Sequence, residues 1–173
     1  PNSLSELLLS LAPIESNFLP ISIRKEAKEL LLTEIANKVS VIIPTWNRAA
    51  VVQQAIETVL DQSFSAFEII VSDDGSEDDT LNIIRSKFKN EIAAKRVVLI
   101  GGEHRGVSHA RNAAMRIAQG DFFAYLDSDN LWHKDHLLIS IASLIKSKGS
   151  DSIYTALYHN NIDASKREVI FKR

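Results

Sequence analysis

Residues 39–48 read VSVIIPTWNR, and this stretch decides the fold. A short run rich in β-branched residues ends at Pro44, which is the pattern of a strand buried in a parallel sheet. Residues 48–61, directly after it, carry apolar side chains at helical spacing. A buried strand followed at once by an amphipathic helix predicts a sheet whose parallel strands are joined by helical crossovers.

The same alternation continues along the chain. We predict further strands at residues 67–72, 96–100, 122–126 and 152–156. We predict helices at residues 76–89, 106–119 and 134–148, with Ser76 as the N-cap of the first and Gly120 ending the second. In the second helix, five apolar residues are expected to face inward: Val107, Ala110, Ala113, Ala114 and Ile117. The fold class is therefore α/β, an open and mostly parallel Rossmann-like sheet with helices on both faces.

The first 38 residues follow a different pattern. Residues 22–37 place apolar side chains at helical spacing and predict an amphipathic helix. We divide the chain into an N-terminal helical extension, 1–38, and an α/β domain, 39–173. The helix either packs on that domain or forms an interface with a partner.

Composition excludes several classes of protein. A length of 173 residues suits one domain, and the lack of cysteine excludes disulfide scaffolds and thiolate metal sites. A net charge of −2 gives no general attraction to nucleic acid. No apolar stretch is long enough for a bilayer and no signal peptide is visible, so we expect a cytoplasmic location, with peripheral membrane attachment left open. The chain begins with Pro1, which suggests a segment of a longer protein.

Polar residues follow the predicted strands. Ligands of open parallel sheets bind beyond the carboxyl ends of the strands, so these residues are the candidate site. They are Pro44, Thr45, Trp46, Asn47 and Arg48 after the first strand, Asp73 and Asp74 after the second, Arg111 on the helix after the third, and Asp127, Ser128 and Asp129 after the fourth.

Asp127 and Asp129 are spaced to share a ligand. In an extended segment, residues i and i+2 point to the same side. Two like charges about 4 Å apart repel by roughly 4 kcal/mol at an effective dielectric constant near 20. A hard divalent cation, Mg²⁺ or Mn²⁺, would remove that repulsion and bridge to phosphate oxygens. The alternative is that Asp129 or Asn130 caps the helix that follows.

Each of the other candidates also has two interpretations. Asp73 and Asp74 form a turn, or one of them accepts a hydrogen bond from a pyrimidine imide or a ribose hydroxyl. Trp46 stacks on a base, or it is a core or rim aromatic. Arg111 pairs with phosphate, or it lies on a solvated helix face.

The histidines are weaker candidates. His104 and His109 flank Gly106 and could touch a ligand, but no pattern demands it. His133 and His136 are three residues apart at a helix start, and we expect them in a solvated N-terminal turn.

Four ordered motifs carry a resemblance to a known family. They are residues 39–48, 69–76 (IIVSDDGS), 106–112 (GVSHARN) and 120–129 (GDFFAYLDSD). Together they resemble an inverting family 2 glycosyltransferase with the nucleotide-sugar-binding GT-A fold. The resemblance covers about residues 39–156.

The resemblance implies roles for individual residues. Trp46 would lie beside the base, and Asp74 with its neighbour would recognise uracil. Arg111 would lie near the phosphates and the donor sugar. Asp127 would lie near the ribose or sugar, and Asp129 would bind the metal directly. The implied reaction transfers a sugar from a nucleotide-diphospho-sugar, expected to be a UDP-sugar, to an acceptor hydroxyl with inversion. The acceptor would be a glycan or glycoconjugate, and the pathway polysaccharide or glycoconjugate synthesis.

One departure from the family pattern concerns the catalytic base. Family members carry it, usually as a carboxylate, after the Asp-x-Asp motif, but only 44 residues follow Asp129. Asp151 and Asp163 lie in no recognisable context. We therefore expect the N-terminal, donor-binding half of such an enzyme. A non-catalytic nucleotide-binding or assembly module is the alternative. A nucleotidyltransferase is disfavoured because residues 44–48 lack the glycines of its first loop.

Overall fold

The computed structural model describes residues 22, 25–27, 29, 38–146, 152–153, 157–158 and 169–170. The helices bounded within these ranges are α1 (Val52–Leu60), α2 (Thr80–Lys87), α3 (Lys89–Ala93), α4 (Val107–Ile117) and α5 (His136–Lys146). The strands are β1 (Val39–Thr45), β2 (Glu68–Asp73), β3 (Val97–Gly101), β4 (Phe122–Tyr125), β5 (Leu157–Tyr158) and β6 (Val169–Ile170).

Strands β1 to β4 form one parallel sheet in the order β3-β2-β1-β4. Every residue of β1 is buried because this strand has a neighbour on each side and packing on each face. Ser40 of β1 lies opposite Glu68 of β2 and Phe123 of β4. The predicted α/β class is confirmed, and all carboxyl ends of this sheet point to the same edge.

Both faces of the sheet are covered. Ile42 and Ile70 pack with Ala114 of α4 on one face, where the small alanine lets the helix come close to the strands. Val41 and Ile43 alternate with Ile42 along β1 and are equally buried on the opposite face. Helix α1 contacts β1 and α2. This packing fixes the four strand ends relative to one another.

Helices α1 and α2 start later than predicted. The helix expected from residue 48 begins at Val52, and the one expected from residue 76 begins at Thr80. Ser76 as an N-cap is wrong, because its hydroxyl donates to the Asp73 carboxylate and accepts the N–H of Asn47. The loops after β1 and β2 are therefore tied to each other before either helix begins.

Other boundaries also differ from expectation. Val107 and Ile117 of α4 are exposed, not inward, because the buried stripe of α4 runs through Ala110 and Ala114. Ser152 and Ile153 are not in a strand, and the rest of the strand predicted at 152–156 lies outside the described residues. Strands β5 and β6 instead pair antiparallel in a separate two-stranded sheet.

The chain divides into two compact units, and the sheet of β1 to β4 lies in the unit Leu31–Leu137. The other unit combines Pro1–Leu30 with Leu138–Arg173. In that unit residues 22, 25–27 and 29 are helical, and Lys146 pairs with Glu26. Most of the helix predicted at residues 22–37 lies outside the described residues, so its role as an interface stays a prediction. None of the helices traced here is both long and apolar enough for a membrane span.

Candidate functional site

The loops after the four parallel strands surround one cavity of about 380 Å³. Twelve residues line this cavity. Ten of them lie at the end of a strand, in the loop after a strand, or at the first position of α4, as expected for an open parallel sheet. The lining residues are Pro44, Thr45, Trp46, Arg48, Asp74, His104, Val107, Ala110, Arg111, Asp127, Ser128 and Asp129.

One end of the cavity is aromatic. The rings of Trp46 and His104 are stacked, with centroids 4.3 Å apart and planes 23° from parallel. Nδ1 of His104 lies 2.8 Å from Oδ2 of Asp74. Two flat rings and a carboxylate therefore meet at the point where the loops after β1, β2 and β3 converge.

The Asp74 carboxylate is buried and well supplied with hydrogen bonds. It accepts the backbone N–H of Arg105 at 2.9 Å and that of Gly106 at 2.8 Å. Burial alone would raise the pKa of Asp74, but these two bonds and the neighbouring His104 hold its pKa below the ordinary value of 3.8. Asp74 is thus a stable anion that also fixes the loop leading into α4.

The other end of the cavity is charged. Arg111 on α4 donates to Asp127 at 2.6 Å, and Arg48 lies 3.5 Å from Asp129. The side chains of both pairs are between about a third and a half exposed. Exposed pairs of this kind contribute little stability, in the range of about 0–1 kcal/mol, so a ligand can exchange their partners at low cost.

Two buried polar atoms on lining residues lack a partner within the described part of the chain. They are the hydroxyl oxygen of Thr45 and Nε of Arg111. A buried group left without a hydrogen bond costs about 1–3 kcal/mol. Both atoms belong to residues on the cavity wall, so a polar ligand there would remove that cost.

Asp127, Ser128 and Asp129 do not form the extended segment expected from the sequence. Residues 128 and 129 form a turn, closed by a 2.9 Å hydrogen bond from the N–H of Asn130 to the carbonyl of Asp127. Both carboxylates still face the cavity, because the turn carries them around its rim, and Ser128 is the buried member. Helix α5 begins at His136, so neither Asp129 nor Asn130 caps it.

Asn47 and Asp73 do not line the cavity. Asn47 adopts a left-handed conformation, with φ of 50°, and its side-chain oxygen accepts the N–H of Glu77. Asp73 accepts the N–H and hydroxyl of Ser76. Their polar atoms hold the two loops in place. The other nine candidates from the sequence are brought together on the cavity wall.

Three lining residues were missed by sequence reasoning. The sequence leaves a ligand contact by His104 open, and it predicts that Val107 and Ala110 face the core and not the site. His104 and Trp46 are 58 positions apart, so only the pairing of β1, β2 and β3 brings them together. The position of His104 two residues before a helix-opening glycine was the one available hint.

Comparison with known proteins identifies the family. The family model described as Glycosyl transferase family 2 matches residues 40–170. The chain belongs to glycosyl transferase family 2. The resemblance drawn from the four motifs is thereby confirmed.

Two curated relatives are considerably longer than this chain. A chondroitin synthase of Escherichia coli is 30% identical over 140 residues, which is 81% of this chain and 20% of the relative. A second E. coli relative, UDP-Glc:alpha-D-GlcNAc-diphosphoundecaprenol beta-1,3-glucosyltransferase, is 35% identical over 63% of this chain and 42% of its own length. The chain therefore spans less than half of either relative.

Solved structures share the fold of this family 2 chain. S. aureus TarS 1-349 in complex with UDP-GlcNAc superposes with a TM-score of 0.56 at 32% identity, covering 66% of this chain and 32% of that TarS chain. A mannosyltransferase from Pyrobaculum calidifontis in complex with GDP-Man and Mn²⁺ gives 0.57 at 28% identity, covering 72% of this chain and 39% of that enzyme.

Proposed function

We propose that this chain forms the donor-binding part of a glycosyltransferase that takes a UDP-sugar. The supporting observation is the single cavity in which an aromatic ring, a buried carboxylate, two arginines and an aspartate pair converge. A relative is named for UDP-Glc, and TarS was solved with UDP-GlcNAc. A synthase for chondroitin among the relatives supports a role in polysaccharide or glycoconjugate synthesis.

The aromatic end of the cavity suits the base. Stacking of a nucleobase on an aromatic ring contributes about 1–3 kcal/mol. Trp46 offers such a ring, and Asp74 is an anionic acceptor for the imide N–H of uracil. The pKa of Asp74, held low, keeps that acceptor charged at neutral pH. Thr45 adds a hydroxyl without a partner in the described structure.

The charged end suits a diphosphate together with a cation. Arg48 and Arg111 are already balanced by Asp129 and Asp127, so a bare diphosphate would leave an excess of negative charge. The donor set is all oxygen, as Mg²⁺ or Mn²⁺ prefers. No cluster of three or more His, Cys, Asp or Glu side chains fit for a metal occurs among the described residues. A cation here would thus be held by Asp129 and Asp127 plus phosphate oxygens, a common arrangement for Mg²⁺.

The proposed reaction is an inverting displacement at the anomeric carbon. The acceptor oxygen forms a bond to that carbon as the bond to the diphosphate oxygen breaks, and a general base takes the hydroxyl proton. The cation would offset the charge that develops on the leaving diphosphate. Arg111, released from Asp127, would donate to a phosphate oxygen. The described carboxylates on the cavity wall each accept a hydrogen bond or ion pair, so the base is expected from residues beyond them.

Nucleotide binding tests the donor site. By calorimetry, UDP should bind the chain with Mg²⁺ or Mn²⁺ present and lose about tenfold or more in affinity with a chelator. Asp129→Ala should lower the affinity in metal to the chelator level. Asp61→Ala is the matched control, because Asp61 is an exposed, ion-paired aspartate outside this cavity and should change nothing. Equal affinity with and without chelator would remove the metal from the proposal.

A second candidate is a module that binds the nucleotide without transferring the sugar. The observation that favours it is that Asp74, Asp127 and Asp129 are all engaged. General base catalysis typically contributes about 10²–10⁴-fold, so a missing base would leave little turnover. Release of UDP from UDP-sugars, with acceptor oligosaccharides present, separates the two candidates. Robust turnover by the chain alone would reject the module.

A further inference from the structure

We propose that His104 is an internal substitute for the nucleobase. Its imidazole makes both contacts that the base would make, so the donor must displace it. This inference rests on the proposed function and concerns how access to the same site is controlled.

The first contact is the stack on Trp46. The two ring centroids are 4.3 Å apart, within the range of offset aromatic pairs. Trp46 is 45% exposed overall, but the face turned to His104 is covered by the imidazole. A base can occupy that face only after the imidazole has left it.

The second contact is the hydrogen bond to Asp74. This carboxylate is 4% exposed and already accepts two backbone N–H groups, from Arg105 and Gly106. Nδ1 of His104 lies 2.8 Å from Oδ2 and 3.1 Å from the backbone carbonyl oxygen of Asp74. An imide N–H would need the same acceptor position. Imidazole and uracil are both flat rings with a ring N–H donor, so one replaces the other without rearranging Asp74.

The displacement requires only a side-chain rotation. The backbone at His104 is held against Gly75, where an added Cβ would lie 2.7 Å from the His104 nitrogen. The next two residues are bound to Asp74. The His104 side chain itself is 54% exposed, so it has room to swing into solvent while the backbone stays in place. The competition is therefore confined to one imidazole.

Substitution of His104 has opposite effects on UDP binding if its imidazole competes with the base and if it supports the base. If the imidazole competes, His104→Ala should lower the Kd for UDP by about tenfold, since the apparent affinity rises with the fraction of open sites. His109→Ala, a histidine on α4 that does not line the cavity, is the control and should leave the Kd unchanged. Weaker UDP binding by His104→Ala would show that the ring supports the base, and an unchanged Kd would show that it does neither; both results overturn the proposal.

His104→Phe separates the stack from the hydrogen bond. It keeps a flat ring beside Trp46 but cannot donate to Asp74, so its Kd should fall between those of the wild type and His104→Ala. A Kd equal to or higher than that of the wild type would contradict the proposal that His104 and the base share the Asp74 carboxylate as acceptor.

Tryptophan fluorescence gives a readout independent of affinity. The chain has two tryptophans, and Trp132→Phe leaves Trp46 as the reporter. In that background His104→Ala should alter the Trp46 emission before ligand is added, and UDP should then produce a smaller change than with His104 present. An identical UDP response with and without His104 would contradict displacement. If the wild-type chain binds no UDP, the proposed function falls as well; if it binds but His104→Ala is no tighter, only this inference falls.

Discussion

Gly75 shows how a single residue holds the candidate site together. Its φ is +76°, a region that costs a residue with a side chain about 1–3 kcal/mol, and an added Cβ would meet the His104 backbone. Gly75→Ala should therefore destabilise the chain by at least that amount in urea unfolding. Gly102→Ala is the matched control, because nothing lies within 4 Å of its added Cβ. Equal unfolding midpoints for the two variants would contradict this packing.

Substitution of Arg111 tests ligand binding separately from the stability of the fold. Its pair with Asp127 is half exposed, so Arg111→Ala should change the free energy of unfolding by less than about 1 kcal/mol. The same change should weaken UDP binding by about tenfold or more, because a charged hydrogen bond to phosphate is lost. Arg116→Ala, on the same helix and outside the cavity, should alter neither quantity. A large loss of stability in Arg111→Ala would assign the arginine a structural role.

At the residue scale, the sequence correctly predicts that side chains in the loops after the strands meet at one edge of the sheet. Trp46, Asp74 and Asp129 were placed at the sheet edge because parallel strands share a carboxyl end. Asn47 and Asp73 lie at the same edge of the sheet, yet their side-chain oxygens accept hydrogen bonds from the loop after β2 and do not face the cavity. Which of two adjacent polar residues turns outward depends on loop contacts that sequence spacing does not contain.

At the scale of elements, a buried polar network joins strands β1 and β2 to the segment that follows α4. The Ser40 hydroxyl donates to Glu68 at 2.7 Å and accepts the N–H of Gly120 at 2.9 Å. Glu68 also accepts the N–H of Gln119. Ser40→Ala leaves buried groups without partners and should lower the free energy of unfolding by about 1–3 kcal/mol, measured in urea.

Ser86→Ala is the control for that network. Ser86 lies on α2, and its hydroxyl donates to the carbonyl of Ile83 at an exposed position. Its effect should stay within about 0.5 kcal/mol. If both serines gave the same small effect, the network would not be what joins α4 to the sheet.

Strands were easier to predict than helix starts. The central residues of β1 and β2 are mostly β-branched and apolar, so their composition reveals both strands. The starts of α1 and α2 are set instead by long-range bonds, such as that from the N–H of Arg48 to the Thr80 hydroxyl. Neither helix has a side-chain N-cap bond that would mark its first turn in the sequence.

At the scale of the whole molecule, stability should depend on pH through His136. We expected a solvated histidine, which is wrong. Burial, helped by nearby His133, lowers the pKa of His136 to about 4, and the ring stacks on Trp132 with centroids 4.3 Å apart. The folded chain therefore binds this proton less readily than the unfolded chain, whose histidine titrates near 6.5.

The direction of the pH effect follows from that difference. The contribution of neutral His136 is fully present above pH 6.5 and is lost as the pH falls toward about 4. The full change amounts to about 3 kcal/mol. Urea unfolding at a series of pH values measures it, and His136→Phe, which keeps the stack, should flatten this part of the profile. The low pKa of Asp74 acts in a separate range, since its contribution is lost only as the pH falls below 3.8.

The two arginine–aspartate pairs have a consequence for how fast a nucleotide arrives. Arg48 with Asp129 and Arg111 with Asp127 cancel each other's charge at short range, so neither arginine projects a strong positive field into solvent. An anionic donor is then not drawn in from a distance, and capture depends on chance encounter. Stopped-flow association rates should accordingly change little between low and high salt, whereas a steep decline with salt would mean that one arginine is unpaired when the ligand approaches.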